Sequence, residues 1–444
     1  MRETIRGCTP SRSYVSELFH GLRTLEENGV LGVTVWRRLV GVCDRTVIER
    51  VEFDEEADAV VAHVRPRRLR KRRCGRCGRW APGYDQGEGR RRWRALDLGE
   101  LRSFLEADAP RVNCPEHGPT VIQVPWARHG AGHTRAFDDT VAWLAVHTSK
   151  TAIVELLRIA WATVGAIVAR VVDEARAASD PFDGLRRIGI DEISYKKGHR
   201  YLTVVVAHDT GRRVWAAKGH DKDTLEGFFD LLGDDRCAQV RLVSCDAADW
   251  IGDVVRRRCK NATVCLDAFH LVKWVTDALD EVRRDTWNEA RRAGMRTHAR
   301  DLKHARYALW KNPEDLTARQ EAKLAWVAKV NRRLYRAYLL KEQFRAIIAV
   351  KGGRALIMLK AWLAWAARSR IAAFVELGRR IRKHLAGIEA ALLHELSNAL
   401  IESTNTKLRL LTRVAYGFKD PEHLIALALL DRGGYCPPLP ARRR

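Results

Sequence analysis

The chain has 444 residues, with 79 Lys and Arg against 55 Asp and Glu, a formal net charge of +24. That length holds several domains, and so large a positive excess points to a polyanionic partner, nucleic acid before others, with a merely solvated basic surface as the alternative. The longest apolar-looking stretch, ALIMLKAWLAWAA, is interrupted by Lys360 and closed by Arg368, too short and too charged to span a bilayer. Ten cysteines without a secretory signal at the start fit a reducing cytoplasm and metal binding better than disulfides.

Residues 1–30 carry a mixed amphipathic pattern around Leu18, Leu22 and Leu25 and read as an extension or as the product of an upstream start codon. From Gly32 to Arg65 the chain reads as strands, with TVIERVEF and AVVAHV flanking the acidic turn Asp54 to Asp58. A basic segment, RPRRLRKRRCGRCGRW, follows. Cys74 and Cys77 form one Cys-x-x-Cys pair, and Cys114 with His117 forms a second pair of the same spacing. Two such pairs suit tetrahedral Zn²⁺ in a ribbon within a 31–125 segment, the alternative being four unrelated residues in a loop. Arg70, Lys71, Arg72, Arg73 and Arg76, with arginines around Trp93, would then present a surface for phosphate contact and stacking.

Residues 130–180 show apolar positions at helical spacing throughout. SKTAIVELLRIAWATVGAIVARVV fits a helix-turn-helix, with Ala152 to Leu157 on the first helix and Thr163 to Val172 on the second. As a bare pattern this competes with an amphipathic pair that is only core. Asp180-Pro181 marks a boundary.

Next comes an antiparallel meander. The run Ile188 to Ile190 delivers Asp191 at a strand end, Tyr201 to Ala207 and Arg213 to Ala217 add two strands, and KDTLEGFFDLLG is helical. A buried strand, Val240 to Val243, leads to Asp246, and NATVCLD ends a fifth strand at Asp267, close to His270. Lys196, Lys197 and His199 sit in the first hairpin. Strand alternation turns Glu192 away from Asp191. From Val275 to about His394 the chain is almost all helical, broken at Asn312-Pro313 and Gly352-Gly353, with Trp362 and Trp365 reading as core. Its arginine-rich faces, such as Arg332, Arg333 and Arg336, are candidates for DNA or a second protomer.

Late in the chain, SNALIESTNTKLRLL as a helix places Asn398, Glu402, Asn405 and Arg409 on one face. Three strands, helix, strand, helix, strand and a late acid-bearing helix is the order of an RNase H-like fold. Carboxylates are what hard cations such as Mg²⁺ require, and two such ions can clamp the attacking and leaving oxygens of a phosphodiester. Asp267 competes with Asp246 for the second acid; strand order favours Asp246, which follows the fourth strand. His270 reads as site support or as a satisfied core histidine, while Lys407 or Arg409 could neutralise charge on a phosphate.

IGIDEISYKKGHRYLTVVV, LVSCDAADW, CLDAFHLVKW and IESTNTKLRLLTRVAYGF together strongly resemble the ISL-three family of bacterial insertion-sequence transposases, over about Leu31 to Gly433. The resemblance implies a DDE transposase with Asp191, Asp246 and Glu402 as triad, and a zinc module and helix-turn-helix in the positions read above. It implies Mg²⁺ or Mn²⁺ alongside Zn²⁺. The expected partners are double-stranded DNA, as terminal inverted repeats and target, and at least a second protomer, in a bacterial cytoplasm at the nucleoid and with no membrane.

The fold class expected is multidomain α/β: a zinc-ribbon module and helix-turn-helix precede an RNase H-like core interrupted by an all-α insertion. The expected parts are 183–274 for the first piece of the core, 275–394 for the insertion, 395–433 for the last core helices and 434–444 for a basic tail. Cleavage and strand transfer are the expected reactions. The alternatives are an inactive transposase-derived DNA-binding regulator and a metal-dependent nuclease without strand transfer.

Overall fold

The computed structural model describes residues 31–67, 72–196, 198, 200–394, 399–414 and 420–440, the side chains of 31, 399–404 and 414 excepted. The proposed extension, Arg70, Lys71, Lys197, His199, Asn398 and the final arginines lie outside the described residues. Two compact units emerge, residues 1–178 with 435–444, and residues 179–434.

In the first unit, helix α1 (Leu31–Leu39) precedes strands β1 (Thr46–Asp54) and β2 (Ala59–Pro66). The β-formers Val33, Thr34 and Val35 favour strand here, contrary to the helix that forms. The burial of Trp36 and Val40, four residues apart, overrides that preference, leaving Val33 and Val35 exposed. Strands β3 (Gly83–Asp85), β4 (Arg90–Leu98), β5 (Leu101–Asp108), β6 (Arg111–Cys114) and β7 (Gly118–Val121) complete two sheets, ordered β1-β2-β5-β4 and β3-β6-β7. The β2–β5 pair is parallel, from Ala59 opposite Arg102 to His63 opposite Glu106, while its neighbours are antiparallel. One core joins Trp36, Val60, Ala62, Trp93 and Leu105 to Cys74 and Cys114.

Three helices follow: α2 (Arg135–His147), α3 (Lys150–Leu157) and α4 (Trp161–Ala177). Thr134 and Ser149 cap α2 and α3, each accepting from a backbone amide of the first turn. Arg158, in the left-handed region at φ 52°, ends α3, and the chain turns by 103° into α4. That is the angle a helix-turn-helix requires. Ile153, Leu157, Val164, Ile167, Val168, Val171 and Val172 close the pair onto its core. Among the described residues no single helix is long and apolar enough to cross a membrane.

The second unit is built on a five-stranded sheet of β8 (Arg187–Lys196), β9 (Arg200–Ala207), β10 (Arg213–Lys218), β11 (Leu242–Cys245) and β12 (Thr263–Leu266). Its order is β10-β9-β8-β11-β12. Strands β8 to β10 form the antiparallel meander, and β11 pairs in parallel with both β8 and β12. Asp191 therefore lies within the central strand, not at its end, because β9 pairs with β8 out to Lys196. The fourth strand sits at Leu242–Cys245 instead of Val240 to Val243. Helices α5 (Lys222–Leu232) and α6 (Asp249–Arg258) contribute Leu225, Phe228, Ile251 and Val254 to the sheet's core.

A helical run starts at Ala268, earlier than expected, because Asp267 caps α7 (Ala268–Arg292). After it come α8 (Arg296–His304), α9 (Arg306–Trp310), α10 (Ala318–Val330), α11 (Arg332–Val350), α12 (Gly352–Arg368), α13 (Ala372–Lys383) and α14 (Leu385–His394). They share a core around Phe344, Trp362 and Phe374, with Trp362 Nε1 donating to Leu340 O at 2.8 Å. Helix α15 (Ala399–Val414) packs on β8 and α16 (Pro421–Arg432) on β10, so the end of the chain returns to the sheet.

Candidate metal centres

The first centre lies in the β3-β6-β7 region. Cys74 and Cys77 sit on a tight turn in which Gly78 N donates to Cys74 O and Cys74 N to Arg79 O. Arg76 N points at Cys74 Sγ, 3.4 Å away. Gly75 is required there, since a Cβ would stand 2.5 Å from Val121 O and from His129 Nδ1. The second pair is carried by the β6–β7 hairpin, where Cys114 pairs with Gly118 at φ +64°.

The two turns bring four ligand atoms within 4.8 Å of one another. Cys77 Sγ to Cys114 Sγ is 3.7 Å, Cys114 Sγ to His117 Nδ1 3.6 Å and Cys74 Sγ to His117 Nδ1 3.9 Å. Tetrahedral zinc with its usual bond lengths separates its ligands by about 3.6–3.8 Å, so the cluster fits that ion. Hydrogen bonding to His117 lowers the Cys114 thiol to about 6, favouring the thiolate a metal needs.

Around this turn the basic residues divide. Arg72 and Arg76 are exposed, while Arg73 donates to Gly78 O at 2.9 Å. Trp93, expected as a stacking platform, is instead 2% exposed and packs edge-on against Trp126, because it lies on the inward face of β4. Trp80, which pairs with Arg73 across the turn, is exposed, at 63%. Sequence reasoning overlooked it.

The second centre gathers at β8, β11 and β12. Asp191 from β8 is half-buried; its Oδ1 accepts from Glu192 N at 2.7 Å, and its Oδ2 accepts from Asn405 Nδ2 on α15. Burial, followed by the charge of Asp246, pushes the Asp191 carboxyl up to about 7. Asp246 follows β11 and Asp267 follows β12, and His270 joins them: its Nδ1 lies 2.9 Å from Asp246 Oδ1 and 3.0 Å from Asp267 Oδ2. Hydrogen bonds to Asp246 and Asp267 raise that imidazole to about 10. Asp267 also caps α7, accepting from Phe269 N at 2.9 Å.

The arrangement is a cluster of carboxylates that repel one another, with an imidazolium as the one cation among the described groups within it. Asn405, 1% exposed, leaves its Oδ1 without a hydrogen-bond partner. A buried amide oxygen and a set of carboxylate oxygens are the donors a hard divalent cation takes. Glu402 lies three residues before Asn405 on the same helix; its side chain lies outside the described residues.

The remaining candidates are placed as follows. Glu192 is half-buried and its carboxyl raised, chiefly by burial. Lys407 Nζ donates to the buried Asp431 of α16 at 2.5 Å, so it faces away from Asp191. Arg409 is exposed, one turn beyond Asn405. In the helical run, Arg333 pairs with Glu289 at 3.0 Å and Arg336 donates to Ser369 O at 3.2 Å.

Comparison with known proteins places these features in order. Residues 70–117 match the zinc-finger of transposase IS204/IS1001/IS1096/IS1165, residues 122–172 the helix-turn-helix domain of transposase family ISL3, and residues 188–428 a family described as Transposase. The transposase for insertion sequence element IS1557 from two strains of Mycobacterium tuberculosis is 60% identical over 434 residues, 92% of this chain and 98% of the relative. The transposase for insertion sequence element IS1001 of Bordetella parapertussis is 26% identical over 386 residues, 85% of this chain and 92% of the relative.

Proposed function

The chain belongs to the ISL3 family of insertion-sequence transposases, a DNA-binding enzyme with zinc-ribbon, helix-turn-helix and DDE domains in that order, and from that premise we propose that Asp191, Asp246 and Glu402 are its catalytic triad. They sit on an RNase H-like core, 183–274 with 395–433, interrupted by a helical insertion at 275–394 and preceded by the 31–125 and 130–180 DNA-binding modules. The strand order β10-β9-β8-β11-β12 supports this reading, since it is a 3-2-1-4-5 arrangement with the first acid on the central strand and the second just after the neighbouring β11. Asp191, Asp246 and Glu402 would hold Mg²⁺ (or Mn²⁺), which would supply Lewis acidity for strand cleavage by water and for strand transfer by the freed 3′-hydroxyl.

The chain's own residues prepare that site. Asn405 fixes the Asp191 carboxylate from α15. His270 ties Asp246 to Asp267, which makes Asp267 an orienting acid at the head of α7. Arg409, exposed a turn beyond Asn405, is placed to meet phosphate, whereas Lys407 anchors α15 to α16. Zn²⁺ on Cys74, Cys77, Cys114 and His117 holds the ribbon whose Arg72 and Arg76 face solvent. The DNA is the element's terminal inverted repeats and target duplex, engaged by at least two protomers in the bacterial cytoplasm.

The observation that carries the reading is the meeting of Asp191 with Asn405, 214 positions apart, beside Asp246. A labelled duplex bearing the element's ends, incubated with Mg²⁺, tests it. Cutting and joining are expected to vanish in Asp191→Ala, Asp246→Ala and Glu402→Ala and to survive, weakened, in Asp267→Ala. Loss with Asp267→Ala and not with Asp246→Ala would move the second acid. Wild-type protein that binds ends and never cuts them would be a regulator, and one that cuts without joining a nuclease.

A further inference from the structure

A stretch of the helical run stands apart in charge. Residues 291–307 contain Arg291, Arg292, Arg296, Arg300, Lys303 and Arg306, all exposed, and Asp301 is their one acid. Asp301 is itself engaged by Lys323 at 3.1 Å. Among the described residues none of the six cations has a carboxylate partner. Of the arginines expected from sequence to hold DNA, Arg333 and Arg336 are tied to Glu289 and Ser369, while Arg332 is exposed.

The geometry of this stretch is that of a built surface. Gly294, at φ +75°, turns the chain between α7 and α8, and α8 folds back so that Lys303 O meets Arg283 of α7. Ala299 and Leu302 are buried, fixing which side of α8 faces out. On that outer side Arg296 and Arg300, and then Lys303 or His304, recur every turn, about 6 Å apart along the axis. Successive phosphates of a nucleic-acid strand are spaced much the same. Arg291 and Lys303 flank the Trp287 ring at 5.8 and 5.5 Å, and Arg306 lies 3.8 Å over Trp310. An indole face holds a cation in place without neutralising it, as a carboxylate would.

We infer that the α7–α8 corner is a docking surface for the phosphate backbone of duplex DNA, separate from the helix-turn-helix and the zinc ribbon. It grips by charge and spacing: exposed cations distributed over α7, α8 and the start of α9 supply the sequence-independent part of binding, so the affinity they add is expected to be the same for any base sequence. This rests on the chain acting on DNA, and the two can fail separately.

The test compares full-length wild type with Arg292→Gln/Arg296→Gln/Arg300→Gln, none of which is seated on an indole, and with the scattered control Lys260→Gln/Lys329→Gln/Lys360→Gln. Binding to a short duplex of random sequence is followed by anisotropy across a salt series. The corner variant is expected to flatten the dependence of log affinity on log salt by about 2.7, at near 0.9 for each of three phosphates no longer neutralised. At one fixed salt its affinity falls on the order of ten-fold, equally for random and end-bearing duplex, and the control changes far less. An unchanged slope, or a control that matches the corner variant, overturns the proposal. So does loss of binding to phosphatidylserine vesicles with duplex binding intact. Wild type that neither binds nor cuts end-bearing duplex would instead sink the catalytic reading.

Discussion

The two metal centres are opposites in construction. The Cys74, Cys77, Cys114 and His117 cluster draws its side chains from two turns at most 43 positions apart, each shaped by its own glycines and backbone hydrogen bonds. The acid cluster needs a central strand, two neighbouring strands and a helix that returns after 214 positions. The first is a local device that helps its unit fold. In the second, folding buries a carboxylate beside others, and the upward shift of Asp191, from burial first and the charge of Asp246 second, records the cost.

Breaking each centre should therefore have contrary effects. The largest is expected from Cys114→Ser: structural zinc supplies about 10–16 kcal/mol of apparent binding free energy in small fingers, so bound zinc is lost and the ribbon unfolds. Zinc content and amide exchange over residues 72–121 measure this; a variant with full zinc and unchanged exchange would refute the assignment. Next, Asp191→Asn should abolish cleavage yet leave the metal-free second unit as stable or more stable, by about 1 kcal/mol or more, because a half-buried carboxylate beside Asp246 is relieved. A lower melting temperature would show that the acid cluster supports the fold after all. The smallest effect belongs to Lys407→Met, which takes from the buried Asp431 the shorter of its two cation contacts, Arg432 staying 3.8 Å away, and should cost about 1 kcal/mol in unfolding free energy. Should cleavage instead collapse at unchanged stability, Lys407 would belong to the phosphate site.

The same contrast explains what could be read from sequence. Paired Cys-x-x-Cys and Cys-x-x-His spacings specify a ribbon almost by themselves, and strand periodicity followed by acids indicates the order of the sheet. The helical period of the late segment puts Glu402, Asn405 and Arg409 on one face, and Asn405 does reach Asp191. Long-range packing lies beyond such patterns. Trp36 draws a β-rich segment into α1, Trp93 turns inward while Trp80 stays out, and Lys407 finds Asp431. That one imidazole would sit between Asp246 and Asp267 depends on β11 and β12 being neighbours, which spacing cannot reveal. Nor can it tell which arginines of a helical bundle already have partners.

The parallel β2–β5 pair has a further consequence, for the rate of assembly. Parallel strands need a long crossover, and here that crossover contains the Cys74–Cys77 turn, while Cys114 and His117 come just after β5. One ion held there would close the chain around the whole β4–β5 hairpin, across 37 positions from Cys77 to Cys114. A cross-link of that span removes about 4 kcal/mol of chain-closure entropy from the unfolded state. Newly made chains that meet zinc early search a much smaller space for the β2–β5 register, so refolding of the first unit should be slow without the ion and limited by its capture at low supply.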